Sequence, residues 1–296
     1  MYTRYRTGVL LLLLALTAGC SQVKFAYNQA DIGIRWYVGS LVTLNDEQKQ
    51  MMNASLDQLL AWHCQHELPI YATSLAQIAR SAEDGAISVA TIDYWGEEVE
   101  AAWARMGAQL AEPAVDILVT LDDDQIDELE QNLQAQINET RTEYASRDYS
   151  PDKRIKRVAK NFERWMGRLT DEQLRLITDW EKQSRPLLSS WIDSRVDWTD
   201  QFIAALREEQ ADRTLLRRLL LHPDEFRSAE NLAAGDQWRA DFSTMMDALY
   251  QQSTSKQRSR SASRLRDWQA DFEELSCLAP EGDGSQTIAM IRPIAH

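Results

Sequence analysis

The sequence lacks the short motifs that mark the common enzyme classes. It has no GxSxG nucleophile turn, no phosphate-binding P-loop, no GxGxxG dinucleotide motif and no CxxC pair. It also has only four histidines, which leaves few candidates for acid–base catalysis or metal binding. We therefore expect a non-enzymatic protein that needs no cofactor, and we keep a metal-dependent hydrolase as the most distant alternative.

Strand signals are absent too. Glycine is scarce, with 11 residues, and no stretch alternates apolar and polar residues as a half-buried strand would. Apolar residues recur instead at three- and four-residue steps, as at Val158, Phe162, Trp165 and Leu169. The sequence therefore predicts an all-α fold, an elongated multi-helix bundle that is either continuous or divided into two helical halves.

The same patterns divide the chain into four stretches. Residues 1–19 form a signal peptide, 20–147 an N-terminal helical region, 148–279 a C-terminal helical region, and 280–296 a tail that we expect to be disordered. Pro186 is expected to kink or split its helix. Further helix breaks are predicted at Pro69, Glu112–Pro113, Ser150–Pro151, His222–Pro223 and Gly235.

Positive charge and long apolar runs are both in short supply. Acidic residues outnumber basic ones by 46 to 32, a net charge of −14 at pH 7. A nucleic-acid partner is therefore not expected, because phosphate binding needs a cationic surface. After Cys20 no apolar run approaches the roughly 20 residues of a membrane-spanning helix, so the body should be soluble.

The first 20 residues have the order of an export signal. Arg4 and Arg6 precede an apolar run at 9–16, and small residues lead to Cys20. LTAGC at 16–20 resembles the bacterial lipobox, although Thr17 stands where Leu is usual. The resemblance implies cleavage before Cys20 and a covalent lipid, such as palmitate, on that residue. The alternative is an ordinary signal peptide with a chance cysteine.

The residue after the cysteine bears on location. By resemblance to enterobacterial sorting, Ser21 favours the outer membrane over retention at the inner membrane. The lipid would anchor the protein to the membrane, and the body would lie on the periplasmic side.

Nearly the same five residues occur three times, as LNDEQ at 44–48, LDDDQ at 121–125 and LTDEQ at 169–173. In each copy a good N-cap residue is followed three positions later by Gln, with acidic residues between them. This pattern is a capping box, which predicts a helix start. Because the starts lie in different helices, we expect the costs of removing them to add. The predicted cap pairs are Asn45/Gln48, Asp122/Gln125 and Thr170/Gln173. The copies also resemble the LTxxQ signature of small periplasmic helical chaperones and envelope-stress sensors, with LTDEQ the only full match.

WHCQHELP at 62–69 is the most reactive-looking stretch. His63 and His66 lie one helical turn apart, and Glu67 follows His63 by four residues, so these three side chains could face one metal. The spacing matches neither HExxH nor HxxEH. We therefore favour a helix end, with Pro69 starting the next helix, and no metal site.

Cys64 and Cys277 are the only thiols that acylation of Cys20 would leave. In an oxidising compartment we hypothesise that they form a disulfide, with free thiols as the alternative.

A wider resemblance covers the front third of the chain. It is carried by Tyr27-Asn28, Asp31 and Trp36, then by LNDEQ, then by Trp62-His63 and ELPIYA at 67–72. These residues are similar to a family of proteobacterial lipoproteins of unknown function, although Cys64 replaces a usual basic residue. The resemblance implies an all-helical periplasmic body and no activity. We therefore expect a body that binds another envelope protein or supports the envelope, with a periplasmic chaperone or stress adaptor of LTxxQ type as the runner-up.

Overall fold

The computed structural model describes residues 22–146, 150–183, 187–208 and 210–277. These residues form eleven α-helices, one 3-10 helix and no strand, which confirms the all-α prediction. The predicted signal peptide (1–19), Cys20 and the predicted tail (280–296) lie outside the described residues. The helices are α1 Gln22–Asn28, α2 Ala30–Gly39, α3 Asp46–Asp84, α4 Val89–Leu118, α5 Asp123–Ala145, α6 Pro151–Met166, α7 Asp171–Gln183, α8 Leu187–Leu206, α9 Arg213–Leu221, the 3-10 turn Pro223–Phe226, α10 Ala229–Gln251 and α11 Ser255–Leu275.

The longest described helix, α3 with 39 residues, packs along its C-terminal half against α11. The two helices are antiparallel. At one end Cys64 of α3 is bonded to Cys277, just after α11, with the Cα atoms 5.2 Å apart. Towards the other end Arg266 forms an ion pair with Glu83. This packing joins the first long helix of the chain to the last one.

Buried apolar side chains form three clusters. The first packs α4 and α5 against α8 and α9, around residues such as Val115 and Leu216. The second joins α6, α7 and α10 around Ile177. The third closes the α3–α4 turn against α11 through Ala79 and Leu265. The first and third clusters contain residues from both sides of the predicted boundary between 147 and 148, and the division into two regions stays a prediction.

Three predicted breaks are wrong. Pro69 lies inside α3, Pro113 inside α4 and Gly235 inside α10. A proline removes one backbone hydrogen bond, but tertiary packing can hold the helix on both sides of it. Leu68, which directly precedes Pro69, is fully buried, and so is Val115, two residues after Pro113. Packing of these neighbours therefore outweighs the local cost of the prolines.

The other predicted breaks have mixed outcomes. A helix does begin at Pro151, and α9 does end before Pro223. Pro186 lies outside the described residues. The sequence pattern also predicts one helix over 23–38, whereas the structure has two, α1 and α2, separated by a turn at Gln29.

The disulfide yields a test of the packing between α3 and α11. We expect the Cys64→Ser/Cys277→Ser double variant to unfold at a lower temperature than the unaltered protein. The bond closes a loop across a sequence separation of 213, and removing a native disulfide costs about 2–5 kcal/mol. Thermal melting with and without reductant would measure the loss, with the double variant as a control that reductant should not affect. An unaltered protein whose melting does not respond to reductant would contradict the assignment.

Candidate functional site

The three repeated motifs all stand at helix starts. The Asn45 side chain accepts a hydrogen bond from the backbone N–H of Gln48, and the Asp122 side chain accepts one from the backbone N–H of Gln125. In return, each Gln side-chain oxygen accepts a hydrogen bond from the backbone N–H of its N-cap residue. At the third start Thr170 and Gln173 exchange the same two bonds, at 3.0 and 3.2 Å. Each motif is therefore a complete capping box at the beginning of α3, α5 or α7.

Gln48 and Gln125 also bind each other. Gln48 Nε2 donates to Gln125 Oε1 at 3.0 Å, and Gln125 Nε2 donates to Gln48 Oε1 at 2.8 Å. Each Nε2 further donates to a backbone carbonyl just before the other helix, Thr120 for Gln48 and Thr43 for Gln125. Both amides thus use two N–H groups and two oxygen lone pairs. The starts of α3 and α5, 77 residues apart, are held together by one buried amide pair.

Gln173 has an equivalent partner that the sequence analysis missed. Gln257 Nε2 donates to Gln173 Oε1 at 2.9 Å, and Gln173 Nε2 donates back at 3.3 Å, across a separation of 84 residues. Gln257 belongs to a further capping box that uses Gln, with Thr254, at the start of α11. Its Nε2 also reaches the carbonyl of Arg168, two residues before the Thr170 cap. The signal in the sequence was T-x-x-Q at 254–257, hidden because Ser253 stands in the place of the motif's leucine.

The burial of these residues bears on what the motif can do. Gln48 and Gln173 are 1% and 0% exposed, and Leu44 and Leu169 are buried in the core. The side chains that define the motif therefore face other parts of the same chain rather than a ligand. The starts of α3 and α5 are in contact through Gln48 and Gln125, whereas the additivity expected for the cap residues Asn45, Asp122 and Thr170 stays a prediction.

The WHCQHELP stretch lies inside α3 and forms the centre of an aromatic cluster. The Tyr27 hydroxyl of α1 hydrogen-bonds His63 Nδ1 at 3.2 Å, and the two rings are stacked. Tyr71 contacts His63 on one side and Phe272 of α11 on the other. Burial lowers the pKa of His63, which favours a neutral ring. The cluster therefore holds α1 and α11 against α3.

Glu67 is buried beside this cluster and is paired with Arg105 of α4. Arg105 Nε and a terminal nitrogen donate to the two carboxylate oxygens at 2.6 and 2.9 Å, a bidentate arrangement. Burial, together with the negative charge of Glu67, raises the pKa of Tyr71 to about 12. The sequence analysis missed this ion pair because its partners lie 38 residues apart.

The three metal-ligand candidates are thus used separately. His63 contacts Tyr27, Glu67 binds Arg105, and the exposed His66 donates from Nδ1 to the Trp62 carbonyl of its own helix. Within the described ranges no group of three His, Cys, Asp or Glu side chains is placed to hold a metal ion. The expectation that this stretch closes a helix before Pro69 is wrong, since α3 continues to Asp84.

Residues 40–231 match a family described as "Family of unknown function (DUF6279)". The chain belongs to this family. The match includes the Gln48–Gln125 pair, the Glu67–Arg105 pair and Gln173, and it ends before Gln257. No curated protein and no solved structure matches the chain. The DUF6279 assignment agrees with the expected family of unknown function, while the lipoprotein character and the LTxxQ likeness stay predictions.

The amide pair predicts coupled energetics. We expect Gln48→Met and Gln125→Met each to destabilise the protein by about 1–3 kcal/mol, because each leaves buried polar groups without partners. The double variant should lose less than the two single losses combined, since it removes both amides at once. Gln48→Met with Gln173→Met is the control, and these losses should add because the residues belong to different pairs. Denaturant unfolding would measure these four variants together with the single variant Gln173→Met, and additivity between Gln48 and Gln125 would contradict the pairing.

Proposed function

We propose that this DUF6279 protein is a non-enzymatic lipoprotein of the bacterial outer membrane, anchored through Cys20, whose helical body binds another envelope protein on the periplasmic side. The observation that carries the proposal is the bond between Cys64 and Cys277. Disulfides persist in oxidising compartments such as the periplasm and are rare in the cytosol. The predicted export signal and the disulfide therefore both favour the periplasm.

The anchor itself rests on the N-terminal sequence. The arginines, the apolar run and the small residues before Cys20 have the order of a lipoprotein signal. No helix in the described ranges is long and apolar enough to cross a membrane. A covalent lipid on Cys20 would attach the protein to the membrane.

A non-enzymatic role is supported by how the reactive side chains are used. Glu67 is neutralised by Arg105, and His63 is stacked against Tyr27. A general acid or base must lie within hydrogen-bonding reach of a substrate. These groups instead contact neighbouring helices, so their chemistry serves the packing of α1 and α4 on α3.

The surface best suited to a protein partner is a stripe on α4. Val99, Trp103 and Leu110 lie on one face of this helix, and their exposed fractions are 58%, 67% and 39%. Exposed tryptophan is typical of binding surfaces, where one aromatic ring can supply much of the affinity. We assign the partner contact to this stripe, which we call the α4 stripe.

The α4 stripe also favours the runner-up function, a periplasmic chaperone. An exposed apolar surface can hold apolar segments of unfolded clients as well as one folded partner. The two functions differ in the number of proteins bound. One partner should give one cross-linked species at fixed stoichiometry, whereas a chaperone should give many and should suppress the aggregation of unrelated proteins.

Lipid attachment is tested by changing the acceptor residue. We expect Cys20→Ala to abolish incorporation of labelled palmitate and to leave the precursor uncut, because the thiol carries the first acyl chains. Cys64→Ser/Cys277→Ser is the control and should keep full labelling. Mobility on gels and fatty-acid labelling in cells would measure both effects, and unchanged labelling of the Cys20→Ala protein would refute the anchor.

The partner is tested by cross-linking in cells. A photoreactive amino acid at Trp103 should yield one discrete covalent complex, because this side chain lies at the centre of the α4 stripe. The same amino acid at Glu97, an exposed position of α4 off the stripe, is the matched control and should yield much less. Mass spectrometry would identify the product, with a broad set of products supporting the chaperone and equal yields at both positions contradicting the assignment of the stripe.

A further inference from the structure

The first two helices present an uncharged outer face. Phe25, Ile32, Trp36 and Tyr37 are 66%, 57%, 74% and 49% exposed, and all four lie between residues 22 and 40. On α2, Ile32 and Trp36 lie one helical turn apart, and Tyr37 is next to Trp36. Phe25 is exposed on the neighbouring helix α1. We call this surface the α1–α2 face.

The charged side chains of this segment are paired and only partly exposed. Lys24 pairs with Glu274 at 2.6 Å, and Arg35 pairs with Asp31 at 3.2 Å. The exposed residues between 22 and 40 are all uncharged, whereas charged residues make up 26% of the whole chain. An exposed helical surface of a soluble protein is normally the place for charge. The α1–α2 face is therefore built for an apolar or interfacial neighbour.

The position of the face in the chain identifies that neighbour. Residues 1–21 lie outside the described structure, and the proposed lipid site, Cys20, is two residues before the start of α1 at Gln22. A lipid on Cys20 would hold α1 within a few ångströms of the bilayer surface, since two residues span at most about 7 Å. Whatever else the protein binds, α1 and α2 would be the first helices to meet the membrane.

The composition of the face fits the same neighbour. Tryptophan and tyrosine are enriched where a bilayer meets water, because their rings have an apolar body and a polar edge. An uncharged face also brings none of the acidic charge of the body against anionic headgroups. We propose that the α1–α2 face lies in the bilayer interface as a second membrane contact beside the lipid.

This inference rests on the proposed anchoring of Cys20 and adds what the lipid alone would not give, a fixed orientation of the body. A lipid attached at one point of the chain leaves the body free to rotate about that point. A helix pair held in the interface would fix the middle of α3, which it contacts through Tyr27, and the end of α11, which it contacts through Lys24. The α4 stripe would then be presented at a constant height and angle above the membrane.

The test uses the full lipidated protein in vesicles of phosphatidylethanolamine and phosphatidylglycerol. With Cys20 acylated and Cys64 bonded to Cys277, a new cysteine is the only free thiol. Spin labels are placed through Ile32→Cys and Trp36→Cys on the face and through Glu139→Cys on α5, an exposed control. Electron paramagnetic resonance measures collisions with oxygen, which concentrates in lipid, and with a water-soluble nickel complex.

We expect the labels at 32 and 36 to collide mainly with oxygen and to report a depth of about 5–10 Å below the headgroups. The label at 139 should collide mainly with nickel. Equal nickel accessibility at all three positions would overturn the inference, and so would spin–spin broadening at 32 and 36, which would show a second copy covering the face. The mass of the same samples reports the acyl chains separately, so a missing anchor is distinguished from an anchored protein whose α1–α2 face stays in water.

Discussion

A buried side-chain amide has two donors and two lone pairs to satisfy, and each one left unmet costs free energy in the core. In this protein that requirement is met by pairing. Gln48 and Gln125 satisfy each other while each caps its own helix, and Gln173 and Gln257 repeat the arrangement. If one helix start moved, both side-chain amides of its pair would lose hydrogen bonds. The pairs therefore fix where α3 meets α5 and where α7 meets α11. The positions of the helices that follow depend on those junctions.

The long helix α3 connects these junctions to the rest of the molecule. The helix begins at the Gln48–Gln125 pair, and Cys64 in its middle is bonded to Cys277, just after α11. Its C-terminal end packs against α11, which begins at the Gln173–Gln257 pair. The residues that carry the likeness to a lipoprotein family, Tyr27, His63 and Glu67 among them, hold α1 and α4 to the same helix. Their contacts are those of a scaffold. Binding capacity then lies in the surfaces that this scaffold leaves exposed.

Those surfaces divide into two kinds. Most of the exterior carries charge, with surface ion pairs such as Arg239 to Glu100 and Arg207 to Glu130, each of which contributes little to stability. The α1–α2 face and the α4 stripe instead expose apolar and aromatic groups in lines along a helix. An exposed aromatic line has no stabilising role in the monomer, because its area stays in contact with water. For each of the two surfaces we propose a neighbour that covers it.

The sequence by itself determined the features that depend on neighbours a few residues apart. A capping box needs only residues three positions apart, so the starts of α3, α5 and α7 could be read directly from the chain. Helical spacing of apolar residues likewise sufficed for the fold class. The cysteine count reduced the disulfide to one candidate pair, although only the structure places Cys64 beside Cys277.

Tertiary structure decided what depends on distant residues. Pro69 and Pro113 looked like breaks because the burial of Leu68 and Val115 by other helices cannot be read locally. The ion pair of Glu67 with Arg105 could not be read from the sequence, because the two residues lie 38 positions apart. Only one of the two contacts of the motif's Gln could be predicted from the sequence. Its hydrogen bond to the N-cap residue is local, but its second partner lies 77 or 84 residues away. Only the packed helices bring those amides within 3 Å or so of each other, and only there does a helix-start motif become a joint between helices.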